Sequence, residues 1–316
     1  MSSRAPLEPG QSGAPGGRGL RLPPPLAPGD WIAVVAPSSP FPRAEFWRGL
    51  AWLRDRYRVK MREAALDRDG FLAGTDDTRA RLLGLAMTDP DVKAVVAARG
   101  GYGVTRILDR LPWDAFARAP KWLVGFSDVT ALHLAAASHG IASVHAPNVT
   151  GLGVSHGAPT TPWTRARWMA ALERPSAPQA WRKLEVIREG SAAGPLVGGN
   201  LALLEAMAAA GRLELPRGAI LALEDVTERP YRVDRMLTAL RDGGHLARAS
   251  AIVLGEFAQC EPGPDGVAIA AVLAERTRDL GIPVVAGAPF GHGLRNDAFV
   301  HGAAARLVGD ALTIGE

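Results

Sequence analysis

The chain has 316 residues, 47% of them hydrophobic and 22% charged, with a formal net charge of +4 and a pI near 9.6. That composition suits a globular protein with enough apolar material for two domains, and its basic residues are scattered rather than interleaved with aromatics, so they read as solvated surface and no nucleic-acid partner is expected. Cys260 is the only cysteine, which excludes an intrachain disulfide and a cysteine-based zinc site and suits a reducing cytoplasm.

Residues 1–27 are rich in Pro, Gly and Ser and lack the apolar core of a signal peptide. They are expected to form a disordered tail. No later apolar run reaches bilayer-spanning length, so no membrane partner is expected.

Residues 31–36 (WIAVVA) predict a buried strand, ended by Pro37-Ser38-Ser39-Pro40. Residues 43–57 carry Phe46, Leu50, Leu53 and Tyr57 on one helical face. Thr75-Asp76-Asp77 opens a helix through Leu82, Leu83 and Ala86, which Asp89-Pro90 stops. Residues 92–98 form the next strand, followed by the loop Arg99-Gly100-Gly101-Tyr102-Gly103 and a helix through Ile107 and Leu108. Residues 121–126 are a strand, 128–138 a helix and 141–145 another strand. Strands alternating with helical stretches predict a parallel, doubly wound sheet over residues 28–150.

From 151 to 180 the pattern loosens into an interdomain connection, with a short helix over 163–172. Residues 181–316 form the second domain. Residues 181–187 and 195–197 are strand-like, and Gly198-Gly199-Asn200 leads into a helix over 201–210. A strand over 219–223 ends at Glu224-Asp225. A helix over 231–241, a strand over 251–257, a helix over 267–280 and a short strand over 283–286 follow. Residues 289–293 (PFGHG) are a turn-rich loop. Alternation over 304–307 and 311–314 predicts a closing hairpin around Gly309-Asp310, and His301 is expected on it.

Two loops stand where a strand hands over to a helix: 99–103 and Gly125-Phe126-Ser127-Asp128. In an open α/β sheet, ligands bind at such carboxyl ends. Ser127 has two readings. It is an ordinary helix N-cap, with Asp128 suiting the first turn, or it is a nucleophile on a sharp corner, facing free backbone N–H groups. The glycine loop lacks the dinucleotide and P-loop spacings.

A nucleophilic serine needs a base, and the base an orienting acid. His133 lies six residues along the same helix, roughly 9 Å up and about 120° round, out of reach. His139 is farther still. His145 ends a strand of the same sheet, where a histidine is commonly a structural group. His156 and His245 sit in loops beside no strong pattern. His292 is flanked by glycines, which allow close approach of another domain; it is a candidate base or a surface-loop residue. Glu224 at its strand end either caps a neighbouring element or reaches into a site. A Ser127, Glu224 and His292 set would lie between the domains.

Taken in order, residues 31–40 (WIAVVAPSSP), 71–75 (FLAGT), 99–103 (RGGYG), 120–132 (PKWLVGFSDVTAL), 198–201 (GGNL), 223–237 (LEDVTERPYRVDRML) and 289–293 (PFGHG) closely resemble the LD-carboxypeptidases. That serine peptidase family also includes the microcin C self-immunity hydrolases. The resemblance runs from about residue 28 to 302. It implies Ser127 as nucleophile, Glu224 as acid and His292 as base, with an oxyanion hole from the Gly101 and Asp128 backbone N–H groups. It also implies a flavodoxin-like N-terminal α/β domain, a smaller β-rich C-terminal domain and a homodimer. Tyr102 and Asn200 are candidate substrate contacts. No metal or cofactor is expected.

The expected substrate is a cytoplasmic muropeptide, trimmed of a terminal D-amino acid in peptidoglycan recycling. Hydrolysis of an aminoacyl-nucleotide antibiotic is the alternative, with Trp163, Trp168 or Trp181 as a ring to stack a base. A non-catalytic ligand-binding α/β protein is a third reading. Two departures from the family pattern are Ala146, where relatives often have glycine, and His301, where they tend to be apolar. The tail has no counterpart in it.

Overall fold

The computed structural model describes residues 19–155 and 158–315. In chain order the first half comprises β1 (Trp31–Val35), α1 (Arg43–Arg54), β2 (Arg58–Lys60), α2 (Asp76–Thr88), β3 (Val92–Ala97), α3 (Trp113–Arg118), β4 (Trp122–Gly125), α4 (Thr130–Ser138) and β5 (Ser143–His145). The segment α5 (Val149–Gly153), β6 (Val154–Ser155), β7 (Ala158–Pro159) and α6 (Pro162–Glu173) then leads into β8 (Gln179–Trp181). The second half holds β9 (Glu185–Arg188), β10 (Ser191–Asn200), α7 (Leu201–Ala209), β11 (Ala219–Val226), α8 (Pro230–Asp242) and β12 (Ala249–Ala258). It closes with α9 (Ile269–Thr277), β13 (Val284–Ala286), β14 (Phe299–His301), β15 (Ala304–Val308) and β16 (Ala311–Ile314).

The first sheet runs β14-β5-β4-β3-β1-β2. Its five N-terminal strands pair in parallel, in the 2-1-3-4-5 order of a flavodoxin-like sheet. The order reverses between β1 and β3, so a crevice opens where the loops after those strands part. Those loops are residues 36–40 and 98–103. The second sheet runs β8-β16-β15-β10-β11-β12-β13-β9, parallel across β10 to β13 and antiparallel at both flanks.

Alternate residues of each strand feed two apolar cores. Ile32, Val34, Val96 and Val124 join Leu196, Ile220 and Val253 in one, while Val35, Val95 and Leu123 join Val197, Leu221 and Leu254 in the other. Each core therefore runs unbroken from one sheet to the other, which fixes the two halves against each other. Helix α4 is apolar along almost its whole length and buries Ala131, Leu132, Leu134 and Ala136, filling the space between the sheets.

Several parts of the fold differ from the sequence expectations, β2 among them, a short strand at Arg58–Lys60 that no apolar run marks. His301 does not sit on the closing hairpin: β14 crosses back and pairs antiparallel with β5 at the edge of the first sheet, His301 opposite Ser143. The stretch 104–110 makes two 3-10 turns rather than a helix. The strand-like stretch 181–187 is broken at Lys183, φ +61°, and its two parts, in β8 and β9, lie at opposite ends of the second sheet.

Residues 19–27, expected within a disordered tail, lie along the body. Arg21 bridges Ile141, Leu26 is buried and donates its N–H to the Leu172 carbonyl, and the Pro24 carbonyl accepts from the Trp122 indole. The rest of that expectation, residues 1–18, lies outside the described residues, as does the backbone of His156. No helix among the described residues is long and apolar enough to cross a membrane.

Candidate active site

Ser127 stands two residues after the last residue of β4, at φ +65°. A non-glycine residue in the left-handed region costs energy and marks a corner the surrounding structure enforces. The N-cap reading fails here. The turn starting at Ser127 has Phe126 at its cap position, α4 has Val129, and neither end carries a side-chain capping bond. The Ser127 hydroxyl is left to face a cleft of about 460 Å³, lined also by Arg99, Gly100, Gly101, Phe126, Asn148 and His292.

The loop after β3 packs on this corner. A Cβ on Gly100 would stand 2.8 Å from Ser127 Cβ, so only glycine lets the two loops approach. Ser39 holds the loop from the other side: its N–H donates to the Gly100 carbonyl (3.3 Å), and its hydroxyl accepts from the Tyr102 N–H (3.1 Å). Arg79, fully buried on α2, clamps both loops by donating to the carbonyls of Pro37 and Gly103 (2.9 Å to the latter) and to Asp76. The sequence showed Arg79 only as one more helix residue.

Asp128 is buried, and its carboxylate accepts from the Val104 N–H at 2.9 Å. Burial pushes its pKa up to about 6, against the pull of that N–H, the Ser38 hydroxyl and the Gly103 N–H. Its side chain therefore braces the 104 turn. Among the described residues, the Gly101 and Asp128 backbone N–H groups donate to no other group of the chain.

Glu224 reaches the site from β11, two residues before the strand ends, and is wholly buried. Its Oε2 lies 2.6 Å from His292 Nδ1. A carboxylate only accepts, so Nδ1 carries the hydrogen and Nε2 keeps its lone pair. A Cβ on Gly291 would fall 2.9 Å from both Glu224 Cβ and Oε2, which is why glycine precedes the histidine. Burial lowers the His292 pKa, but the Glu224 charge and hydrogen bond, with Asp225 behind, outweigh it and hold the value above normal. Phe126 lies against the imidazole, ring centroids 4.8 Å apart. His292 and Ser127 line one cleft, with no hydrogen bond between them in this arrangement; such contacts often tighten only around substrate.

The other histidines have other work. His133 is buried, with Nδ1 2.8 Å from the Ser143 hydroxyl and Nε2 2.9 Å from the Gly125 carbonyl. Burial lowers its pKa to about 4, partly offset by the Gly125 carbonyl. It stays neutral and fixes the peptide two residues before Ser127. His145 is buried and stacks on Phe299 at 4.8 Å. His301, the departure noted in the sequence, accepts the Gly198 N–H at Nε2 and stacks on His133.

Asn200, offered as a substrate contact, does not line the cleft. It is buried as the N-cap of α7: its carbonyl accepts from the Leu203 N–H and its amide donates to Asp225 at 3.0 Å. Asp225 also receives the Ala202 N–H, and burial followed by the Glu224 charge pushes its pKa up to about 6. Tyr102 does not line the cleft; it is half exposed, its ring 5.8 Å from Phe71. Asn148 was missed: it is buried at the cleft wall and its Oδ1 accepts from the Phe126 N–H. No pattern around residues 147–150 singled it out.

Residues 32–146 match the model of the LD-carboxypeptidase N-terminal domain, and residues 193–307 that of its C-terminal domain. The murein tetrapeptide carboxypeptidase of Pseudomonas aeruginosa is 36% identical over 249 residues, covering 77% of this chain and 81% of that protein. The chain belongs to the LD-carboxypeptidase family. The crystal structure of muramoyltetrapeptide carboxypeptidase from Oxalobacter formigenes superposes with a TM-score of 0.81 at 33% identity, covering 90% of this chain and 99% of that one. MccF, solved with glutamyl sulfamoyl guanosine, shares the fold at a TM-score of 0.83 and 22% identity, over 92% and 97% of the two chains.

Within this LD-carboxypeptidase fold the three tryptophans offered for base stacking are committed elsewhere. Trp168 and Trp181 are buried. Trp163 is half exposed, but the Arg167 and Arg295 guanidiniums lie over its ring at 4.6 and 5.1 Å, and its indole N–H donates to Asp297.

Proposed function

We propose that this member of a peptidase family is a serine-type LD-carboxypeptidase, which hydrolyses the amide between an L-centre and a terminal D-amino acid of a muropeptide. The observation that carries the reading is the Glu224–His292 pair at 2.6 Å, opening onto the cleft in which Ser127 occupies a left-handed corner. The names of the Pseudomonas and Oxalobacter relatives support the substrate class.

In this reading His292 Nε2 takes the Ser127 proton as Oγ attacks the scissile carbonyl. Glu224 holds the imidazole by its Nδ1–H and stabilises the imidazolium. The Gly101 and Asp128 N–H groups receive the developing oxyanion, about 3–4 kcal/mol per donor in comparable sites. His292 then passes the proton to the leaving amine, the D-amino acid departs, and water, activated by the same histidine, hydrolyses the acyl-serine. A cytoplasmic place in peptidoglycan recycling and a homodimeric assembly belong to the same proposal, by family resemblance.

The test is mass spectrometry after incubation with defined LD-linked muropeptides and with aminoacyl sulfamoyl adenylates. Release of the terminal D-alanine with an intact glycan and stem supports the reading. Turnover of the nucleotide conjugates alone would replace it with the antibiotic-hydrolase activity. Binding of either without turnover would make the chain a ligand-binding protein.

A further inference from the structure

A carboxypeptidase must accept a substrate that ends in a carboxylate and must desolvate that charge beside the scissile bond. The scissile carbon and the terminal carboxylate carbon are separated by only three bonds, at most about 4 Å. The group that receives the carboxylate therefore lies within one side chain of the oxyanion site. Among the described residues lining the cleft, Arg99 is the one guanidinium, and no aspartate or glutamate lines it. Arg99 stands two positions before Gly101, on the loop that faces Ser127.

Its commitments leave it available. One guanidinium nitrogen, Nη1, donates to the Pro40 carbonyl at 2.6 Å. That bond anchors the side chain while most of its five N–H donors remain. Arg99 is exposed and forms no ion pair with a described residue. Arg295, the nearest rival by sequence to the His292 loop, is spent: it meets Asp297 through two bonds of 2.9 and 2.7 Å and stacks over Trp163. A planar fork fixed at one corner suits a planar carboxylate.

We propose that Arg99 is the receptor for the substrate's terminal carboxylate and makes this site an exopeptidase. The proposal rests on the LD-carboxypeptidase reading above. It predicts that a free terminal acid is required, and that the requirement resides in Arg99.

The experiment compares the full-length protein on an LD-linked tetrapeptide as the free acid and as its C-terminal carboxamide. The wild type is expected to favour the acid about 100-fold in kcat/KM, the scale of a charge-assisted hydrogen-bond pair. Arg99→Met should bring the ratio close to one by losing the acid rate, and Arg99→Lys should fall between. Arg295→Ala should keep the wild-type ratio. Equal wild-type rates on acid and amide overturn the proposal, as does an unchanged ratio in folded Arg99→Met. If Arg99→Met does not fold, the Arg99→Lys ratio decides in its place. Cleavage of neither substrate by the wild type instead removes the LD-carboxypeptidase reading, a result distinct from lost discrimination.

Discussion

Glu224 Oε2 stands 2.6 Å from His292 Nδ1, a bond between residues 68 positions apart, one near the C-terminal end of a strand of the second sheet and the other in a glycine-flanked loop. Its first consequence is a pH profile. His292 must be neutral to take a proton, and Glu224 holds its pKa above the ordinary 6.5. The acid limb of kcat/KM, which reports the free enzyme, should therefore lie above pH 6.5, with activity lost as pH falls through it. Glu224→Gln removes the charge that raises the pKa, so the limb should shift downward while the plateau drops by roughly 10⁴, as for the corresponding change in other triads. A limb that stays in place in Glu224→Gln would detach the profile from this pair.

A second expectation concerns the contact between Gly100 and Ser127. Alanine at 100 would put a methyl 2.8 Å from Ser127 Cβ. Gly100→Ala should push the two loops apart and lower kcat by roughly 10², the cost of an ångström-scale misplacement. Thermal melting should change little by comparison, because the displaced loops border a cleft rather than the core. Wild-type kcat in this variant would show that the corner is not positioned by loop contact.

The third concerns residues 19–27. A chain starting at residue 28 loses buried Leu26 and the acceptor of the Trp122 indole. The combined cost is roughly 3 kcal/mol. Differential scanning calorimetry should give a lower Tm than for the full chain, and an unchanged Tm would contradict the packing of this segment.

His133 supplies the fourth. His133→Ala leaves the Ser143 hydroxyl without its partner and opens a cavity beneath β4. Unfolding by urea should show a loss of about 2–4 kcal/mol. The acid limb of kcat/KM should stay where it is in the folded variant, since this ring takes no proton from Ser127. A displaced limb would assign His133 a part in the chemistry.

These residues show what the sequence could and could not reveal. Strands β1, β3, β4 and β5 were legible as apolar runs between helical stretches, and the handover at Ser127 was visible as a strand end meeting a helix start; β2 was not, because Arg58–Lys60 is a short polar stretch, and the strand order was implied only by the family resemblance. Strand β14 was not legible: Phe299–His301 has three residues, and its pairing with β5 depends on a crossing that no local pattern encodes. Residues 19–27 looked like a tail because their bonds go to Gly140, Leu172 and Gly302 rather than to each other. Asn200 before a helix suits both a cap and a ligand contact, and only its bonds to Leu203 and Asp225 reveal the cap. Glu224 and His292 were available as candidates from strand-end position and flanking glycines. Their partnership was implied by the family resemblance, and the tertiary structure adds the 2.6 Å contact between them.

The central claim is that Ser127 and His292 act as one unit. The measurement that tests it most directly is a double-mutant cycle in kcat/KM on an LD-linked tetrapeptide, using Ser127→Ala, His292→Ala and the combination, each verified as folded. Either single change should cost on the order of 10⁴ or more, and the double variant should be little worse than the poorer single, because a unit already broken loses little more. Losses that multiply, or a folded His292→Ala enzyme with near-normal turnover, would contradict the account.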